Sequence, residues 1–210
     1  MKVNDQISTC SDGKKRARSP GDLDCIVLHR ISFSGDDGGG GVWPGVAPIP
    51  DRSLTGTIMA GRFIDTRRRD KKRHWSDRPG SYTGGEVPYT FLVRRDGQID
   101  QCLPVGEIGP HARKWNRPGA GLAIAGDFRK EAPTQEQVFS VSNFCAIWAA
   151  WGCEIRSHDE LEGGSEDKNK SCPGALFPAD QVKQFAQDVG GRMTAEIADW
   201  ILTDVLGVIF

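Results

Sequence analysis

The chain has 210 residues, of which 38% are hydrophobic and 26% charged, and a formal net charge of −1 at pH 7. That composition suits one globular domain with appendages and a single well-buried core. The balanced charge gives no overall pull toward nucleic acid or anionic lipid, and no apolar run approaches the length of a membrane span.

Residues 1 to about 22 are polar and carry Lys14, Lys15, Arg16 and Arg18 with no apolar stretch of the secretory kind. They are expected as a flexible arm, on a protein made in the cytoplasm that stays there unless something else exports it. Residues 23–30, with Cys25-Ile26-Val27-Leu28 leading into His29, read as a strand. Residues 35–45 contain Gly38-Gly39-Gly40-Gly41 and form a loop that cannot pack a core. Asp51 or Ser53 can cap a helix toward Arg69, with Leu54, Ile58, Met59 and Phe63 on one side. A turn-rich stretch then passes through Trp75, Pro79, Gly80, Gly84 and Gly85.

Residues 89–93 are predicted as a strand, and Asp96-Gly97 is a hairpin signal leading into residues 98–102. Residues 121–125 form another strand, rich in small side chains, so it is expected at the centre with something packed closely against it. Thr134 and Gln137 make a capping box. Val138, Val141, Phe144, Cys145, Trp148 and Trp151 then recur at helical spacing until Gly152 stops the run. Residues 153–156 read as a short strand ending at Ser157-His158, and residues 178–189 as a helix. In the last segment, residues 194–210, Ile197, Trp200, Ile201, Val205 and Val208 form one apolar stripe.

The alternation implies an α/β fold with a mixed central sheet flanked by helices. The organisation expected is an arm over 1–22, one domain over 23–190 and a C-terminal amphipathic helix over 191–210. That helix either packs back on its own domain or docks a protein partner. Residues 62–78 are strongly basic and residues 154–168 acidic; both read as solvated faces, or the basic one helps hold an anionic polymer. The six cysteines show no CxxC pairing and are expected to be reduced.

The chemistry gathers around a few side chains. His29 lies at a strand end, His158 follows another strand, and Lys170-Ser171-Cys172-Pro173-Gly174 comes after an acidic loop. Two imidazoles and one thiolate make an open zinc site if the fold unites them, because catalytic zinc takes three protein ligands and leaves one position for water. Lys170, two residues before Cys172, falls on the same side of an extended segment and can face the oxygen that a metal polarises. Taken singly, His29 reads more readily as a structural histidine and Cys172 as a buried thiol.

Several patches, in order, resemble the zinc-dependent N-acetylmuramoyl-L-alanine amidases of the T7 lysozyme and peptidoglycan-recognition type. Cys25-Ile26-Val27-Leu28-His29 is similar to the first strand with its histidine. Trp75-Ser76-Asp77 and the run from Val87 to Gly97 resemble the tryptophan and the tyrosine strand with its hairpin. Gly109-Pro110-His111-Ala112, with Asn116, and the strand running into Gly126-Asp127-Phe128 follow. Thr134 to Gln137, Ser157-His158-Asp159 and Lys170 to Gly174 complete the set, over about residues 23–190.

The resemblance implies His29, His158 and Cys172 as zinc ligands. It implies Tyr89 as the group that orients or deprotonates the water, and Lys170 as the oxyanion stabiliser. His111 and Asn116 would line the substrate groove. The implied substrate is peptidoglycan and the implied reaction is hydrolysis of the bond from N-acetylmuramic acid to L-alanine. A phage or prophage endolysin, acting on the wall after release, fits best. Alternatives are a virion or envelope assembly component with an amidase-like domain, or a binding module without catalysis. Thr90, Ala123 and Arg30 depart from residues common in relatives, and Ala123 excludes a glutamate base on that strand. The 34–50 and 158–170 loops are longer than usual.

Overall fold

The computed structural model describes residues 3–5, 18–32, 53–55, 88–112, 114–161 and 171–210. The glycine-rich loop, the basic run, Trp75, Lys170 and all but residues 53–55 of the expected 51–69 helix lie outside these.

The described strands are β1 (Val3–Asp5), β2 (Cys25–Ile31), β3 (Phe91–Val93), β4 (Ile99–Gln101), β5 (Gly119–Ala125) and β6 (Glu154–Ser157). They form one mixed sheet in the order β1-β4-β3-β5-β2-β6, in which only β3 and β4 are antiparallel. The Asp96-Gly97 turn joins that antiparallel pair, with Gly97 at a φ of +80°. The helices are α1 (Gln135–Ala150), α2 (His158–Leu161), α3 (Ala179–Gly190) and α4 (Ala195–Trp200), which runs into a π-helical turn, Ile201–Val205. No helix among the described residues is long and apolar enough to cross a membrane.

α1 begins as its sequence dictates. The Thr134 side chain accepts from the Gln137 amide at 3.1 Å while Gln137 Oε1 accepts from the Thr134 amide at 3.1 Å. The Gln137 amide group also donates to the Ala125 carbonyl at 2.8 Å, tying the helix start to the end of β5. Below it, Val141, Phe144, Cys145 and Trp148 pack with Ile26, Leu28, Phe91, Leu122 and Ile124 into the larger core. Phe91, Phe144 and Trp148 meet with ring centroids 4.9 and 6.0 Å apart, geometry that adds to the gain from buried area.

Alternation along β5 separates two jobs. Ala120, Leu122 and Ile124 enter the larger core, whereas Ala123 and Ala125 belong to a smaller cluster with Ile31, Leu54, Leu92 and Leu103. Gly119 and Gly121 continue that second row, so the strand offers a nearly bare track on the face away from α1.

Two segments differ from the sequence expectation. Within the stretch expected as an arm, Val3–Asp5 adds a parallel edge strand to β4, and buried Val3 donates to the Leu206 carbonyl at 3.3 Å. At the other end, Ala198, Leu202, Leu206 and Val208 enter the larger core, while Ile197 and Trp200 are 49% and 57% exposed. Of the stripe expected from the sequence, Ile201 packs on this core and Val208 enters it, while Ala198, Leu202 and Leu206 take the places expected for Ile197, Trp200 and Val205. Phe210 closes the aromatic group, its ring 5.5 Å from Trp151 and 6.0 Å from Trp148.

Candidate metal centre

Parallel pairing brings the first two donors together. β2 and β6 align Leu28 with Ser157, so His29, in the carboxyl half of β2, and His158, just past the end of β6, come side by side toward the end of the sheet where open α/β folds place their ligands. Their ring centroids are 4.5 Å apart. The third donor, Cys172, comes from the loop before α3, with Sγ 3.8 Å from His29 Nδ1. One ligand atom from each of His29, His158 and Cys172 lies within 4.8 Å of the others, a group that could hold a metal ion. His29 is buried and the other two are half-buried, so the centre opens on the side of His158 and Cys172.

The loop carrying Cys172 is tied at three points. The Cys172 amide donates to Asp159 Oδ2 at 2.8 Å, and the Asp159 amide donates to the Cys172 carbonyl at 3.2 Å. Arg30 Nε donates to the Ser171 carbonyl at 3.2 Å, while its guanidinium pairs with Asp127 at 3.2 Å. Gly174 has a φ of +117°, and a Cβ there would lie 2.7 Å from the backbone of Phe128. Only glycine lets the loop approach so closely. Arg30 thus has a place of its own: strand alternation turns it away from His29, toward the Asp127 carboxylate. Burial pushes that carboxylate up, but the Arg129 hydrogen bond and the charges of Arg30 and Arg129 outweigh it and hold the pKa below the usual range.

Beneath His29 lies His111, only 8% exposed. Its Nδ1 is 3.1 Å from His29 Nε2 and its Nε2 is 3.0 Å from the Gly119 carbonyl oxygen. The bare track of β5 makes the space: a Cβ on Gly121 would meet His111 Cγ at 2.9 Å and Tyr89 Cδ1 at 3.0 Å. His111, expected along a groove, is therefore packed under the centre with both ring nitrogens engaged. Asn116, also expected there, is half-buried, and its Oδ1 accepts from the Ala112 amide at 2.7 Å, holding the turn that follows His111.

Tyr89 stands beside the centre, its ring centroid 5.1 Å from that of His29. Burial pushes its phenol pKa up, and the Cys172 sulfur adds to the effect. Burial also carries the His29 pKa well below its ordinary value, helped by His111 and His158. His111 is pushed down to about 3, by burial first and then by Arg18 and His158, against the opposing hydrogen bond to Gly119. Both imidazoles are thus neutral near pH 7.

Sequence reasoning gave no role to Arg18. Its buried guanidinium donates to the carbonyls of Val105, Asn116, Arg117 and Gly119, the last being the oxygen that His111 also meets. A lone arginine in a polar stretch carries no sign of such a place. Asp159, next to His158, was visible only as part of a motif.

Comparison with known proteins agrees with this geometry. Residues 20–175 match the family described as N-acetylmuramoyl-L-alanine amidase. Peptidoglycan-recognition protein LB of Drosophila melanogaster is 27% identical over 129 residues, 61% of this chain and 44% of that protein. The chain spans about half the length of the curated relatives it matches. Among solved structures, the amidase LysC from Clostridium intestinale URNW superposes with a TM-score of 0.55 at 20% identity, over 88% of this chain and 96% of that one. The Ph2119 endolysin from a Thermus scotoductus MAT2119 bacteriophage gives 0.56 at 19% identity, over 88% and 99%. These structural likenesses establish the fold, and the match over residues 20–175 establishes that the chain belongs to the N-acetylmuramoyl-L-alanine amidase family.

Proposed function

We propose that the protein is a zinc-dependent peptidoglycan hydrolase that cleaves the amide between the lactyl group of N-acetylmuramic acid and L-alanine. In this reading it is a phage or prophage endolysin that reaches the wall after release from the cell that makes it. The observation that carries the proposal is the convergence of His29, His158 and Cys172 within 4.8 Å, beside the paired strands β2 and β6. Two imidazoles and a thiolate suit zinc, and three protein donors leave a coordination position open. Family membership and the fold shared with amidases and an endolysin support the same reading.

Zinc bound there would supply Lewis acidity and lower the pKa of a coordinated water to about 7. The remaining work falls to side chains. Burial keeps His29 neutral, the state that ligation requires. Tyr89, its phenol held protonated, orients the attacking water and donates a hydrogen bond as charge develops on the substrate carbonyl. Lys170, two residues before Cys172 in the sequence, supplies the ammonium that stabilises the tetrahedral oxyanion. Loss of such a stabiliser costs about 2.7–4 kcal/mol of barrier.

The test is mass analysis of sacculi digested with the zinc-loaded protein. Release of intact stem peptides with a free amino-terminal L-alanine, stopped by a chelator and restored by zinc, is the expected result. Sacculi that are bound but not cut, with or without chelator, would instead mean a binding module.

A further inference from the structure

We propose that His111 is a positioning residue that fixes the tautomer of His29, so that His29 presents its Nδ1 lone pair toward Cys172 and the metal. The inference rests on the zinc reading above and extends it to a side chain that touches no metal.

The proton positions follow from the hydrogen-bond partners. The Gly119 carbonyl oxygen can only accept, so His111 Nε2, 3.0 Å away, carries a proton. The Arg18 guanidinium donates to the same carbonyl oxygen, so a second proton on this ring would set two cations against one acceptor. His111 Nδ1 is then a lone pair and accepts from His29 Nε2 at 3.1 Å, across rings set at 89°. With its proton on Nε2, neutral His29 keeps its lone pair on Nδ1, the atom 3.8 Å from Cys172 Sγ. One backbone oxygen thus orders two imidazoles in series, the arrangement by which outer partners orient metal-binding histidines. Arg18 and the missing Cβ of Gly121 hold the series in place: one anchors the carbonyl, the other leaves room for the His111 ring.

The experiment uses the full chain with 15N-labelled imidazoles and needs two readouts. Long-range 1H–15N spectra of the metal-free wild type at neutral pH should show both His29 and His111 protonated on Nε2. A proton on His29 Nδ1 would overturn the proposal. Zinc affinity, measured by competition with a chromophoric chelator, should fall about 10–100-fold in His111→Phe. His111→Asn, whose Oδ1 can still accept from His29, should recover most of that loss. Equal affinity in wild type and His111→Phe would also overturn it. Should His111→Phe fail to fold, the wild-type tautomer and the affinity of His111→Asn remain decisive. A wild type that binds no zinc while His29 keeps its proton on Nε2 would sink the zinc reading and leave the tautomer assignment standing.

Discussion

Asp159 and Cys172 exchange hydrogen bonds: the Cys172 amide donates to the Asp159 carboxylate at 2.8 Å and the Asp159 amide returns one to the Cys172 carbonyl at 3.2 Å. Asp159 directly follows His158, so this reciprocal pair sets the spacing between two of the three donors. Asp159→Ala leaves the Cys172 amide without its carboxylate and loosens the loop. Zinc affinity is expected to fall about 10-fold or more, with a smaller effect on melting temperature. Chelator competition and thermal melts separate the two, and unchanged affinity would remove Asp159 from the site.

The bare track of β5 yields a second prediction. Gly121→Ala puts a methyl group 2.9 Å from His111 Cγ and 3.0 Å from Tyr89 Cδ1, and both are ring-bearing side chains with little room to retreat. Overpacking of this kind costs about 1–3 kcal/mol. The melting temperature should drop and zinc binding weaken together. A variant as stable as wild type with full affinity would show that the rings can shift without harm.

Arg18 ties the segment before β2 to four backbone carbonyls. Arg18→Met keeps much of the volume but takes a donor from each of those carbonyls, of which Gly119 keeps His111, and each buried acceptor left without a partner costs about 1–3 kcal/mol. Chemical denaturation should show a clear loss of stability, and deletion of residues 1–22 should show at least as much. Indifference to both changes would return this stretch to the role of a detachable arm.

Thiol chemistry offers a check on the site itself. Burial pushes the thiol pKa of Cys25 up to about 11 and of Cys153 up to about 12, and it raises that of Cys145 as well. A raised pKa means little thiolate below the folded value, so at pH 7–8 all three should resist iodoacetamide. Cys172, the half-buried thiol among the described cysteines, should react in metal-free protein and be protected by zinc. Peptide mapping of the alkylated protein reads this directly; equal labelling of Cys172 with and without zinc would contradict it.

Much of this site was legible in the sequence, because strand ends and helix caps leave local marks. The apolar run into His29, the Asp96-Gly97 turn and the Thr134–Gln137 box each correspond to an element in the fold. The small residues of β5 announced a close packing partner without naming it. That partner is His111, and nothing in the spacing of Gly109 to Asn116 says which way its ring turns. β1 was illegible because three residues at a sheet edge carry no periodicity. The C-terminal stripe was legible only in part: Ile201 and Val208 pack on the core, but small Ala198 turns inward while the larger Ile197 and Trp200 stay out, which a count of apolar side chains does not favour. The link between His29 and His158 depends on parallel pairing of strands far apart in the chain, which only the resemblance to a family could suggest.

The most direct measurement is X-ray absorption at the zinc edge of the loaded protein. Two nitrogen scatterers at about 2.0–2.1 Å and one sulfur at about 2.3 Å are expected, with a light-atom fourth ligand. Cys172→Ala should lose the sulfur shell and His158→Ala one nitrogen. A wild-type spectrum without sulfur, or one unchanged by Cys172→Ala, would contradict the assignment of His29, His158 and Cys172 as the metal centre.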